Sequence, residues 1–124
     1  MRKYLIIGFQ LLSKLPFIGQ FFKTLLAAAA VGDCSREIKL KNYTKALDIL
    51  SQFENDEIND VWVANCQYML GSLYLNGLGV SRNEEKAISI YQLAASAGDD
   101  NAITYMRRWN AKERSKSSNK YFKM

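Results

Sequence analysis

From Val61 to Tyr74 the apolar or small residues Trp62, Cys66, Met69, Leu70 and Leu73 recur three or four positions apart, as one face of an amphipathic helix requires. Gly71 sits inside this stretch and costs about 1 kcal/mol relative to alanine, so it implies close approach of a neighbouring helix. Asn76-Gly77-Leu78-Gly79 predicts the stop, because glycine takes up the left-handed conformations of a helix C-terminus. Ser81 or Asn83 then caps a second helix, with Glu84 and Glu85 in its first turn. Ala87, Ile90, Tyr91, Ala94 and Ala95 share one face of it. Gly98 closes that helix, and Asp99 or Asp100 begins a third. No segment alternates with period two, so the pattern predicts an all-α fold.

The pattern also repeats. Cys66-Gln-Tyr-Met-Leu70 returns as Ala102-Ile-Thr-Tyr-Met106 after 36 positions, a period typical of stacked helical hairpins. Leu70-Gly71, Tyr74, Gly77, Gly79-Val80, Ala87, Tyr91, Ala94-Ala95, Gly98 and Ala102 together resemble the signature of the Sel1-like repeat family, relatives of the tetratricopeptide repeats with a longer, glycine-marked turn. An earlier, degenerate unit is expected at Asn42–Leu47, with Ala46 standing for Ala87. From Ala46 to Cys66 is 20 residues but from Ala87 to Ala102 only 15, which places about five extra residues in Glu54–Asp60. The resemblance implies a short right-handed solenoid of antiparallel helix pairs over residues 33–111, preceded by an apolar helical segment (1–32) and followed by a basic tail (112–124).

A chain of 124 residues is expected to form one domain with a modest core, and so few repeats leave stacking surface uncovered. A cap is therefore needed: the N-terminal segment, the last helix, a second copy or a partner. The net charge of +5 hides a segregation. Residues 1–41 carry seven Lys/Arg and two Asp/Glu, residues 42–106 three and nine, and residues 107–124 seven and one. An acidic body lies between basic ends, suited to a basic partner on the body and to an anionic surface at the ends, although solvated helix faces account for the same charges.

Residues 1–32 contain Arg2, Lys3, Lys14 and Lys23, no acid, and 20 apolar residues. Lys14 and Lys23 interrupt any run long enough to span a bilayer. Lys3, Gln10, Ser13 and Lys14 fall near one side of a helix, and Leu5, Ile6, Phe9 and Leu12 mostly on the other, with a break at Pro16. Three readings stay open. The segment lies in a membrane interface with Phe17, Phe21 and Phe22 buried among lipid; it caps the repeat array; or it is an export signal with small residues at Ala27–Ala30 for cleavage.

Chemistry finds little footing. Histidine is absent, which removes the common general base, the Ser-His and Cys-His pairs and an ordinary zinc site. The adjacent acids Asp56-Glu57, Glu84-Glu85 and Asp99-Asp100 point apart on a helix and suit capping. Gly77-x-Gly79 follows a helix and is a turn, not a phosphate loop. Cys34 and Cys66 either pair in an oxidising compartment or serve as small core residues. No catalytic, metal or cofactor residue is therefore assigned. The tail's aromatic and basic mixture could meet RNA, but packing of Trp109 on the last hairpin explains it, and nucleic acid ranks last among partners.

What remains is a surface. In arrays of helix pairs the first helix of each pair lines the concave face, which here offers Asn65, Gln67, Tyr68, Ser72 and Leu75, with Asp99 and Asp100 beside them. Tyr68 stands evenly between an interface anchor and a packing residue; Tyr74 is expected to pack. The resemblance implies a non-enzymatic protein-binding module: a bacterial adaptor, or an immunity-type inhibitor whose partner is a toxin or lipase, acting at the inner membrane or in the periplasm. The alternative is a membrane-active or secreted host-interacting effector working through its N-terminal segment. Homo-oligomers are compatible with both.

Overall fold

The computed structural model describes the backbone of residues 16–122 and the side chains of residues 18–120. Five α-helices follow in order: α1 (Pro16–Lys39), α2 (Tyr43–Leu50), α3 (Val61–Asn76), α4 (Glu84–Ser96) and α5 (Asp100–Phe122), with a 3-10 turn at Ser51–Phe53. Among the described residues there is no strand, and the chain is all-α. Consecutive helices pack on one another, and α1 also packs on α3. The order is that of two stacked pairs, α1–α2 and α3–α4, with α5 standing as the first helix of a further unit.

The helix α1 starts at Pro16, whose missing N–H is harmless in a first turn. Expectations for residues 1–15, and for the Phe17 side chain, lie outside the described residues. Its inward face is made of small residues: Ala27, Ala30 and Cys34 are buried at spacings of three and four. These let α2 and α3 approach, and the Cys66 thiol of α3 reaches the Ala27 carbonyl at 3.4 Å. The helix is continuous through residue 32, where the composition changes, and the Ala27–Ala30 run lies within it. It ends at Lys39, and the chain turns away through Lys41, in the left-handed region at φ 61. Glu37, almost fully buried, accepts from the Asn42 amide at 3.0 Å and faces Lys45 at 3.7 Å. The Asn42 bond, helped by Lys45 and Arg36, holds its carboxyl below the usual range.

The expected start of a degenerate unit at Asn42 is α2, with Ala46 and Leu50 buried. The extra residues Glu54–Asp60 form the connection to α3, as the spacing implied. Asp60 caps α3, accepting from the Trp62 and Val63 amides at 2.9 and 3.1 Å. The face of α3 differs in part from its expected stripe. Trp62 is 44% exposed and Met69 half-buried, whereas Val63, Ala64 and Gln67 are buried. The reason is that α3 is central: α1 and α2 cover one side and α4 another, so no single stripe describes it.

The turn after α3 behaves as expected. Gly77 is left-handed at φ 65 and returns its amide to the Leu73 carbonyl. Asn83, not Ser81, caps α4 by accepting from the Lys86 amide at 3.1 Å. The pair α3–α4 is antiparallel: the Asn83 amide donates to the Tyr74 carbonyl, while Tyr68, lower on α3, stacks on Tyr91 of α4. Gly71 serves the close approach anticipated for it. A Cβ there would lie 2.6 Å from the Tyr91 ring. Gly79 does more than turn the chain, since a Cβ there would meet the backbone of Tyr43 at 2.7 Å. The glycine turn is thus seated on the first turn of α2. Asp99 caps α5 by accepting from the Ala102 amide at 2.9 Å.

Candidate protein-binding surface

Two apolar clusters hold the helices. The first joins Ala27, Ala30 and Cys34 of α1 to Ala46, Leu50, Phe53, Val63, Cys66, Leu70, Leu73 and Ile90, with Tyr74 packed against it. Tyr74 therefore packs, with the Lys86 ammonium 4.6 Å above its ring centre. The second cluster lies between α3, α4 and α5. It has Ile88, Tyr91 and Met106 buried and Tyr68, Leu75, Tyr105 and Trp109 half-buried around them.

Tyr91 organises this second cluster. Its ring stacks on Tyr68 with centroids 5.3 Å apart and meets Tyr105 at 4.6 Å. Its hydroxyl shares a 2.9 Å hydrogen bond with Ser72 Oγ, which also lies 3.0 Å from the Tyr68 carbonyl. Burial pushes the Tyr91 phenol up to about 12. Desolvation and the nearby Glu84 carboxylate raise that of Tyr105 as well. Both rings are neutral at physiological pH. One ring from α4 is thus flanked by rings from α3 and α5, the two helices that stand first in their units. Tyr68 and Tyr105 present partly exposed aromatic surface on that common side.

The anticipated surface residues divide accordingly. Tyr68, Ser72 and Leu75 come together at this cluster, and Asn65 is half-buried on the same helix. Gln67 leaves the surface: it is fully buried, and its amide donates to the carbonyls of Phe53 and Asp56 at 3.0 and 2.7 Å. Those carbonyls belong to the end of the 3-10 turn and to the extra segment after it, which fold over a position that helical spacing alone leaves open. Asp99 is committed to capping, while Asp100 is exposed beside it. Tyr105 and Trp109 belong to the surface too. Their signal in the sequence is the 36-residue restart, which brings Met69 into register with Tyr105 and Leu73 with Trp109.

Among the described residues no group of His, Cys, Asp and Glu could hold a metal ion. Asp56 pairs with Lys23 and Glu84 with Arg82. Cys34 and Cys66 are free and buried, and desolvation pushes their thiols up to about 11 and about 12. They serve here as small core residues and not as a disulfide. No described helix is long and apolar enough to cross a membrane. Phe21, Phe22, Leu25 and Leu26 are each half or more exposed along one side of α1.

Residues 64–99 match the Sel1 repeat. The matched span runs from the buried Ala64, three residues into α3, through the glycine turn and α4 to the Asp99 cap. No curated protein and no solved structure matches the chain. Sel1 repeats generally mediate protein–protein interaction and are typically not catalytic, which supports reading the matched span as a binding module.

Proposed function

We propose that this Sel1 repeat protein captures another protein on the face shared by α3 and α5, and that it works as a bacterial adaptor or immunity-type inhibitor close to a membrane. The observation that carries this reading is the group Tyr68–Tyr91–Tyr105. It offers rigid aromatic surface, pre-positioned by the Ser72 hydrogen bond, on a body (residues 42–106) that carries nine acids and three cations in its sequence. Rings already held in place lose little entropy on binding, and acids at the rim steer a basic partner. A toxin or lipase with a basic patch fits that chemistry.

The test is capture by the full chain from membrane and soluble fractions, followed by titration of the captured protein at two salt concentrations. Tyr68→Ala is expected to weaken binding by about 2 kcal/mol. Asp100→Lys is the proper charge reversal, because Asp99 is needed as a cap; it should act more weakly, through association rate, and fade in salt. Both variants must keep the helical signal and melting temperature. Binding that survives Tyr68→Ala unchanged, or that goes only to lipid vesicles through residues 1–32, defeats the reading.

A second reading rests on the outward side of α1. Large apolar residues there face away from the core in a region whose sequence has cations and no acid through residue 32. That arrangement supports contact with a membrane interface, whether as the anchor of an inner-membrane or periplasmic adaptor or as the working part of an effector. Flotation with vesicles, comparing the parent chain with Phe21→Ser/Leu25→Ser, checks it. Equal flotation would dismiss α1 as the contact.

A further inference from the structure

The repeat geometry leaves one place unfilled. In the first stacking step, Leu73 and Leu78 pack in the same cluster as Tyr43 and Leu47 of α2, and Gly79 sits on the Tyr43 and Thr44 backbone. The same register at the next step matches Ala46 to Ala87 and Cys66 to Ala102. It places Ile88 where Leu47 was, Glu84 and Glu85 where Tyr43 and Thr44 were, Trp109 where Leu73 was, and Glu113 where Gly77 was. No glycine turn follows, so α5 runs straight on to Phe122, and among the described residues no later segment folds back on the first turn of α4. A groove of about 530 Å³ remains, with Ile88 and Trp109 as its apolar floor and Glu84, Glu85, Gln92 and Glu113 about it.

The same straight continuation supplies a matching shape. Helix α4 is 13 residues long and α5 is 23, so about 15 Å of α5 extends beyond the length of its neighbour. Among residues 111–120 every side chain except Glu113 is exposed. They carry Lys112, Arg114, Lys116 and Lys120, and Tyr121 and Phe122 follow in sequence. The groove is anionic with an apolar floor, and this half-helix is cationic.

We propose that the groove between α4 and α5 receives the C-terminal half of α5 from a second copy of this chain, in a reciprocal two-fold pair. An antiparallel crossing centred between Arg114 and Ser115 sets Glu113 against Lys116 of the second copy and Trp109 against its Lys120. Trp109, Glu113, Lys116 and Lys120 share one face of α5, Lys112 and Ser117 flank it so that Lys112 meets Ser117, and Arg114 points away from the pairing face. The pairing is self-complementary, as a two-fold interface must be. The internal contacts Lys116–Glu113 at 3.0 Å and Arg82–Glu84 at 3.9 Å are exposed and weak enough to exchange for it.

Sedimentation equilibrium of the full chain tests this, in a mild nonionic detergent that keeps the apolar side of α1 covered. The parent should form a dimer that weakens in salt. Glu85→Lys/Glu113→Lys and Lys116→Glu/Lys120→Glu should each raise the dissociation constant on the order of ten-fold or more. An equimolar mixture of the two charge-reversed chains should restore pairing, because each groove then meets the opposite tail. Circular dichroism checks that both variants keep their helices. A parent that is monomeric at every concentration overturns the proposal. So does a dimer indifferent to these charges, which points to α1, and so does a mixture that fails to pair.

Discussion

At the scale of single residues, two glycines do different work from the one their turns suggest. Tyr91 is held between Tyr68 and Tyr105, so its ring cannot swing away from a Cβ at position 71. Gly71→Ala should therefore cost about 1–3 kcal/mol despite alanine's better helix propensity. Gly79→Ala must both hold a left-handed φ of 73 and push into the Tyr43 backbone. Gly98→Ala faces only its own φ of 95, with open space around it. Melting curves should rank Gly79→Ala well below Gly98→Ala; equal losses would mean that the glycine turn is not seated on α2. The need for a small residue at position 71 and for positive φ at 77 and 79 was readable from the sequence, because helix interruption is a local property. The identity of what presses on Gly71 and Gly79 was not, since Tyr91 and Tyr43 reach them only through packing. Gln67 shows the same limit. A polar residue on a helix reads as exposed until the segment that covers it is in place.

At the scale of elements, the Glu54–Asp60 connection is fastened more than its irregular backbone suggests. Lys23 of α1 pairs with Asp56, Thr24 Oγ1 donates to Asp60 at 2.9 Å, Gln67 of α3 holds the Phe53 and Asp56 carbonyls, and Lys86 of α4 pairs with Glu54 at 2.8 Å. Hydrogen bonding to Glu54 raises the Lys86 ammonium above its ordinary value. The length and place of this insertion were legible from comparing the spacing of 20 with that of 15. Its attachments were not, because each joins residues more than ten positions apart. Asp60 combines two duties, with one oxygen capping α3 and the other receiving Thr24. Asp60→Ala should thus cost about 1–2 kcal/mol through the lost cap. Thr24→Val should cost less, and the double variant less than the sum. Strict additivity in urea titrations would show that the two contacts are independent.

For the molecule as a whole, α1 is the unusual member, with small residues toward the core and large apolar ones away from it. Stacked pairs and their capping residues followed from periodicity, but this reversal did not, because a nearly uniform apolar run has no preferred side until α3 supplies one. The two cysteines sit along the seam that results. Cys34 of α1 lies 3.8 Å from the Ala46 carbonyl of α2, and Cys66 of α3 lies against α1. A thiol reacts as thiolate, and with both pushed well above the ordinary value neither is available while the seam is closed. Alkylation at neutral pH then becomes a clock for the departure of a single helix. Fraying of α5 should leave it untouched, whereas lifting of α1 should release both thiols at one common rate, read by mass spectrometry as a jump of two labels without a singly labelled stage. A surface that draws α1 outward would make that clock run faster, and one that presses it home would slow it.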